Sequence, residues 1–201
     1  MTDVSAENKV LSVLLCGVGG QGTILAADLL AHTALAAGCE TKLSEVHGMA
    51  QRGGAVTTVV RFGAQVSSMV SDFGSADHIL AFETTEALRN CAYKKEKGTM
   101  FVNDESVKPL PVLTGKAAMP ADASKRLLEM GAHLIPAGQI ALAAGSAKAT
   151  NVVLLGALST VLHFDQEIWE DQIKKRVPTR FVDLNLAAFR AGLAYLNPAC
   201  D

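Results

Sequence analysis

An apolar segment that runs directly into a glycine-rich turn most constrains how this chain can fold. Residues 11–16 (LSVLLC) lead into glycines at GxGxxG spacing, and residues 23–37 behind them are rich in alanine and leucine and lack glycine and proline. This order predicts a buried strand, a tight turn and a helix whose N-terminus faces the turn. The three glycines of the pattern are Gly17, Gly19 and Gly22.

The predicted turn can serve a ligand or only the packing of the fold. Glycines let the backbone approach a ligand closely, and the N–H groups and dipole of the first helical turn favour an anion there. Gln21 and Thr23 could then donate hydrogen bonds to that ligand. The alternative is that the glycines allow close helix–strand packing and that both polar residues simply cap the helix.

Strand and helix patterns alternate along the rest of the chain. This alternation predicts an α/β fold, a Rossmann-like, mostly parallel sheet flanked by helices, with a helical C-terminal part. The second strand is expected to complete a right-handed βαβ unit with the first, and residues 65–70 to pair with the third strand as a hairpin or ragged edge. Strands are predicted at residues 10–16, 41–46, 55–62, 77–82, 99–103 and 132–136. Helices are predicted at residues 22–37, 122–130, 151–163, 165–175 and 179–196. A further helix is predicted to run to about residue 92, with Thr84 or Thr85 as its N-cap.

A second candidate loop, residues 47–54 (HGMAQRGG), follows the predicted second strand. In a parallel sheet it lies at the same carboxyl edge as the glycine turn, where open α/β sheets bind ligands. Arg52, followed by Gly53 and Gly54, suits bidentate binding of a phosphate or carboxylate. The alternative role for Arg52 is to pin the loop by bonding backbone carbonyls. His47 is a candidate general base or partner contact, although a lone loop histidine is more often neither.

Two further polar residues lie where predicted elements begin or end. Glu83 ends a buried strand, so its carboxylate could accept a hydrogen bond from a ribose or an adenine amine, or orient Arg52. It could equally be an acid at the N-terminus of the next helix. Asn151 opens an apolar helix and competes with Thr150 to cap it. No HExxH, GxxxxGK[ST] or GxSxG signature occurs, and no nucleophile is evident.

These residues leave two functional interpretations open. One is a nicotinamide or flavin Rossmann enzyme, for which Glu45 would be the acidic residue about 20 positions past the glycines. The other is a nucleotide- or CoA-type anion-binding module that works within a larger enzyme.

Composition narrows the class of protein. A chain of 201 residues suits one domain, with residues 1–8 expected to be frayed. The net charge of −2 gives no reason to expect nucleic acid or membrane as a partner. No secretory signal and no apolar run of membrane-spanning length is visible, which predicts a cytoplasmic protein. The four cysteines never form CxxC, so no iron–sulfur or zinc site is expected on this chain. The apolar content favours association, either as a homodimer or with a larger partner.

Taken together, residues 17–30 (GVGGQGTILAADLL) and 44–54 (SEVHGMAQRGG) resemble the gamma-type subunit of the 2-oxoacid:ferredoxin oxidoreductase family. The resemblance continues through residues 77–89, where Glu83 and Glu86 fit the family pattern, and through an Asn-x4-Gly element at residues 151–156. Pyruvate and 2-oxoglutarate members usually carry a tyrosine-glycine-proline version of the second motif. The HGMAQ form is similar to that of the indolepyruvate branch, whose beta subunit is a small stand-alone chain.

This resemblance implies a single gamma-type domain over residues 1–201. It implies a subunit of an enzyme that oxidatively decarboxylates aryl 2-oxoacids to acyl-CoA and reduces ferredoxin. Thiamine diphosphate and the iron–sulfur clusters are then expected on a large partner subunit, with this chain contributing to assembly and, as in related enzymes, to the CoA site. The site residues carried over by position are Gly17, Gly19, Gly20, Gln21, Gly22 and Thr23 in the first motif and Arg52, Gly53 and Gly54 in the second. A self-sufficient NAD- or FAD-binding oxidoreductase and a purely structural assembly subunit remain the alternatives.

Overall fold

The computed structural model describes residues 10–47, 54–108 and 110–197. Residues 1–8, predicted to be frayed, lie outside this part of the chain. Within it, six strands form one sheet, and helices cover both faces. The strands are β1 (Leu11–Val18), β2 (Glu40–His47), β3 (Ala55–Gly63), β4 (Ala76–Ala81), β5 (Lys94–Asn103) and β6 (His133–Ile135). The helices are α1 (Thr23–Ala36), α2 (Thr84–Asn90), α3 (Leu110–Leu113), α4 (Ala123–Glu129), α5 (Ala137–Ala143), α6 (Thr150–Ser159), α7 (Gln166–Arg176) and α8 (Val182–Leu196).

The sheet has the order β2-β3-β1-β4-β5-β6 and is mixed. Strands β1, β4, β5 and β6 pair in parallel, whereas β3 is antiparallel to both β1 and β2. The prediction of an α/β fold with a mostly parallel sheet is confirmed, because every strand except β3 runs in one direction.

The expected hairpin or ragged edge at residues 65–70 is wrong, and the unit formed by β1, α1 and β2 contains an intervening strand. β2 runs in the same direction as β1 but does not pair with it, because β3 turns back after a short connection and lies between them. Residues 65–70 form no strand. Side chains hold this segment instead: the Lys42 ammonium donates to the carbonyl of Val66, and the Arg61 guanidinium donates to that of Ser68 at 2.8 Å.

The core consists of two apolar clusters, one on each face of the sheet. In β1, Val13 and Leu15 face the cluster formed with α1, α6, α7 and α8, whereas Leu14 and Cys16 face the smaller cluster with α2 and α4. A central strand buried on both faces reads as a continuous apolar run, which explains why residues 11–16 do not alternate with polar ones. Helix α6 is buried along residues 151–158, as its sequence predicts, but it ends at Ser159, earlier than residue 163.

The capping prediction for α2 is also wrong. Neither Thr84 nor Thr85 caps this helix, because Glu83 is the N-cap and its Oε1 accepts a hydrogen bond from the backbone N–H of Glu86. A carboxylate at this position also interacts favourably with the helix dipole. The last predicted helix opens as a 3-10 turn at Thr179–Phe181 before α8 begins.

An ion pair between α7 and α8 makes stability depend on pH. The Arg190 guanidinium donates to both oxygens of Glu170, at 2.8 and 2.7 Å. This hydrogen bonding, followed by that of Gln166, lowers the pKa of Glu170 to about 2. Because the pKa is lower in the folded chain than the unfolded value of about 4.3, the contribution is present above the unfolded value and is lost as the pH falls from about 5 to 2.

We therefore expect Glu170→Gln to cost about 1–2 kcal/mol of unfolding free energy at pH 7, a value reduced for the exposure of Arg190. The cost should shrink as the pH is lowered from 5 to 3, as measured by urea unfolding. Glu167→Gln, an exposed residue of the same helix, is the control and should change little. A cost for Glu170→Gln that stays the same at both pH values would contradict this reading.

The topology places several chain segments together. Strands β1, β2, β4, β5 and β6 all end at one edge of the sheet, and β3 begins there. The glycine turn, the end of the second loop and Glu83 therefore lie along the same edge. Among the described helices, none combines the length and the apolar character that crossing a membrane would require.

Candidate functional site

The glycine turn links β1 to α1 through close contacts that only glycine permits. Gly22, the residue before α1, has φ +81°, a left-handed conformation that side chains rarely adopt. A Cβ on Gly22 would also lie 2.7 Å from Nδ2 of Asn151. At Gly17 a Cβ would lie 2.7 Å from Oε1 of Gln21 and 2.8 Å from Cβ of Phe82. The turn is therefore packed tightly against its own side chains and against two other elements.

The side chain of Gln21 forms hydrogen bonds within this turn and to the end of β4. Its Oε1 accepts a hydrogen bond from the N–H of Val18 at 2.7 Å, and its Nε2 donates to the carbonyl of Phe82 at 3.4 Å. The side chain thus joins the end of β1 to the end of β4. Thr23 is 3% exposed, and its Oγ1 has no hydrogen-bond partner among the described residues. That hydroxyl oxygen lies 3.2 Å from the position that a Cβ on Gly17 would occupy.

The described residues leave the outer part of the turn open. No atom of the described residues lies within 4 Å of the position that a Cβ on Gly20 would occupy, its chain neighbours aside. No described side chain caps the N-terminus of α1. The first N–H groups of the helix, which have no partner within the helix, therefore receive none from a capping side chain. This combination suits an anionic group, because the first N–H groups of a helix have no partner within it and act in the same direction as the helix dipole.

The second loop meets the glycine turn at the same edge. The N–H of Gly19 donates to the carbonyl of Gly54 at 2.9 Å, and Val18 is paired with Ala55 in the sheet. The juxtaposition expected from the shared edge is therefore present. Arg52, Gly53 and the rest of residues 48–53 lie outside the described residues, as does the side chain of His47.

Glu83 is 1% exposed, and both of its carboxylate oxygens are engaged. Besides the bond to Glu86, Oε2 accepts from the N–H of Val107 at 3.3 Å. In this structure Glu83 therefore orders the start of α2 and the segment after β5. Its contact with a ligand stays a prediction.

Two buried acidic or thiol side chains lie beneath this edge. Glu86 is 4% exposed and pairs with Arg89 at 2.7 Å, but its Oε2 has no partner among the described residues. Burial raises the pKa of Glu86. The charge of Arg89 opposes this increase, and the charge of Glu83 adds to it. Burial also raises the pKa of the Cys16 thiol well above its usual value, with Glu86 and Glu83 adding to the effect. Cys16 is therefore a protonated core residue and a poor nucleophile.

The structure assigns a role to a residue that the sequence reasoning passed over. Asn103, at the end of β5, is 1% exposed. Its Nδ2 donates to the carbonyl of Phe82 at 3.2 Å, and its Oδ1 accepts from the N–H of Ala137 at 3.1 Å. It thus joins the ends of β4 and β5 to the start of α5. A polar residue at the end of a buried strand, the pattern that drew attention to Glu83, is the signal that could have identified it.

Asn151 reaches the glycine turn from α6. Its Nδ2 donates to the carbonyl of Gly22 at 3.3 Å, across 129 residues of sequence. It does not form a side-chain N-cap of its own helix, whose N-cap position is Ala149. Within the described residues, no group of three or more histidine, cysteine, aspartate or glutamate side chains is placed to hold a metal ion.

The chain is similar to several known proteins in sequence and in fold. Residues 12–195 match the protein family described as pyruvate ferredoxin/flavodoxin oxidoreductase. The indolepyruvate oxidoreductase subunit IorB of Thermococcus kodakarensis is 41% identical over 92% of this chain and 95% of its own length. The gamma subunit of a keto/oxoacid ferredoxin oxidoreductase from Geobacter sulfurreducens has the same fold, with a TM-score of 0.70, 25% identity and coverage of 94% of this chain and 99% of that one.

A longer chain contains the same fold as one part. The 2-oxoglutarate:ferredoxin oxidoreductase of Magnetococcus marinus matches 96% of this chain with only 32% of its own length, at a TM-score of 0.74 and 22% identity. The match to the family covers nearly the whole chain, and the Geobacter gamma subunit has the same fold. The chain therefore belongs to the pyruvate ferredoxin/flavodoxin oxidoreductase family.

Proposed function

We propose that this chain is the small subunit of an aryl 2-oxoacid:ferredoxin oxidoreductase of the indolepyruvate type. The enzyme would oxidatively decarboxylate its substrate to acyl-CoA and pass electrons to ferredoxin. The similarity to an indolepyruvate oxidoreductase subunit along almost the full length of both chains supports this substrate class. The HGMAQ form of the second loop, residues 47–51, also supports it.

Within that enzyme, the chain contributes to assembly and to the CoA site. The observation that carries this role is the hydrogen bond between Gly19 and Gly54, which joins the glycine turn to the loop that contains Arg52. The turn leads into α1, whose N-terminus has no side-chain cap among the described residues. The phosphates of CoA are anions that such an arrangement suits. The residues proposed to form or support the site are Gly17, Gly19, Gly20, Gln21, Gly22, Thr23, Arg52, Gly53, Gly54 and Glu83.

Thiamine diphosphate and the iron–sulfur clusters belong on a large partner subunit, and ferredoxin is reduced by the assembled complex. The longer Magnetococcus chain, in which this fold is about one third of the length, supports a large neighbour for this domain. Exposed apolar side chains close to the candidate site are consistent with such a neighbour. Ile24 in the first turn of α1 is 51% exposed, and Val46 near the end of β2 is 68% exposed.

The test is Arg52→Ala in the assembled complex. We expect kcat/KM for CoA to fall about 10- to 100-fold, because one charge-assisted hydrogen-bonded pair is lost, while the KM for the 2-oxoacid is unchanged. The matched control is Arg126→Ala, an exposed residue of α4 with no side-chain partner among the described residues.

Other outcomes would favour the alternatives. Unchanged CoA kinetics in Arg52→Ala would favour a purely structural assembly subunit. Tight NADH binding by the isolated chain that is lost in Glu45→Ala would favour a self-sufficient oxidoreductase. Oxidation of arylpyruvates by the isolated chain would contradict the proposed division of labour between subunits.

A further inference from the structure

A cleft of about 250 Å³ opens at the opposite edge of the sheet from the candidate site. It lies where β1 and β5 begin and β3 ends, about 20 Å along β1 from the glycine turn. Its lining is cationic and rich in hydroxyl groups. The polar groups that matter here belong to Arg61, Lys95, Ser12, Ser67, Ser68 and Ser75.

The charge of Arg61 is not neutralised by any carboxylate of the described residues. Its guanidinium instead donates to two neutral oxygens, the carbonyl of Ser68 at 2.8 Å and Oγ of Ser12 at 3.4 Å. These bonds orient the half-buried guanidinium and leave donor groups unused. An uncompensated, oriented arginine that lines a cleft is well suited to bind an anion.

Among the described residues, the other charges around the cleft do not cancel this excess. Lys95 contacts Asp77 at 2.7 Å, and the second oxygen of Asp77 accepts from the N–H of Ser12. Two cations and one carboxylate therefore leave one net positive charge. On β2, Lys42 and Glu40 both bond to Val66 and pair with each other at 3.4 Å, so they leave the balance unchanged.

We propose that this cleft binds a phosphate group, either free or carried on a small molecule. A guanidinium, an ammonium and serine hydroxyls supply donors from several directions, which fits a tetrahedral oxyanion better than a planar carboxylate. The cleft is smaller than the roughly 300–1,000 Å³ of pockets for drug-sized ligands, so it accommodates a phosphate with little attached to it. This site is separate from the proposed CoA site and does not depend on the proposed function.

The test is an NMR titration of the ¹⁵N-labelled chain with inorganic phosphate, and in a second arm with glycerol 3-phosphate, at constant ionic strength. We expect saturable shifts at the amides of Ser67 and Ser68 that are lost in Arg61→Gln and weakened several-fold in Lys95→Gln. Lys97→Gln, an exposed residue of the same strand that does not line the cleft, should behave as wild type. Tighter binding in one arm identifies whether the free or the carried phosphate is preferred.

Removing the negative charge beside the cleft gives an independent check. Asp77→Asn keeps an oxygen to accept from Ser12 but removes the negative charge, so phosphate should bind several-fold more tightly. The spectra themselves report whether each variant is folded. Linear, non-saturating shifts, equal affinity in folded Arg61→Gln, or shifts confined to residues 19–23 would each overturn the proposal. The last result would place the phosphate at the glycine turn instead.

Discussion

Alanine at Gly156 or Gly192 is expected to destabilise the chain by at least about 3 kcal/mol, because helices α6 and α8 contact each other through their backbones at these positions. A Cβ on Gly156 would lie 2.0 Å from the carbonyl oxygen of Phe189, and one on Gly192 would lie 2.0 Å from that of Val153. A backbone carbonyl within a helix cannot rotate away, so the two helices would have to separate. Both helices belong to the larger core cluster, and its packing would be lost along with the crossing.

The measurement is thermal unfolding followed by circular dichroism. For a chain of this length the loss corresponds to a decrease of at least about 6 °C in Tm. Gly138→Ala is a matched control, because its Cβ would also lie 2.0 Å from an oxygen, but that oxygen is Oε1 of the exposed Glu105. That side chain can move, so Gly138→Ala should be neutral or slightly stabilising within α5. Equal Tm values for all three variants would contradict the backbone-contact argument.

Gly22→Ala is expected to have the second large effect, about 2–4 kcal/mol, at the candidate site itself. The left-handed backbone costs an alanine about 1–2 kcal/mol, and the new Cβ would press on the side-chain amide of Asn151. Gly20→Ala separates these causes, because Gly20 also has positive φ, +103°, but no described residue other than its chain neighbours lies within 4 Å of its Cβ position. Urea unfolding should therefore show a larger loss for Gly22→Ala than for Gly20→Ala.

A double-mutant cycle with Asn151→Ala tests the contact directly. Removing the amide frees space for the new methyl group, so Gly22→Ala should cost at least about 1 kcal/mol less in the Asn151→Ala background. Additive effects would show that the strain of the turn alone is responsible. The cycle also examines the link from α6 to the glycine turn, on which the position of the α1 N-terminus depends.

These contacts explain why the Asn-x4-Gly element at residues 151–156 has an asparagine and a glycine at its ends. Its asparagine holds the glycine turn, and its glycine admits the backbone of α8. A single helix thus couples the candidate site to the packing of the C-terminal helices. The sequence pattern marked both residues, but only the structure shows that they serve different neighbours.

The sequence by itself determined the elements and their order, because the patterns that set them are local. The apolar run of residues 11–16, the glycine spacing and the alanine-rich stretch behind it predict β1, the turn and α1 nearly to the residue. Helices α4, α6, α7 and α8 are predicted with errors confined to their ends, whereas the short helices α3 and α5 are not among the predicted helices. The common edge for the glycine turn and the second loop also follows, because β1 and β2 run in the same direction.

Only the tertiary structure decided which elements became neighbours and which polar atoms of the site form hydrogen bonds within the chain. The position of β3 between β1 and β2 depends on pairing energies across the whole sheet. A local sequence pattern carries no information about those energies. Glu83 caps α2, and Gln21 spans the ends of β1 and β4, because buried backbone groups at those ends require partners. Asn103 and Asn151 act on residues far away in sequence. Contacts of that kind arise only when the packed core brings distant backbone groups within hydrogen-bonding distance.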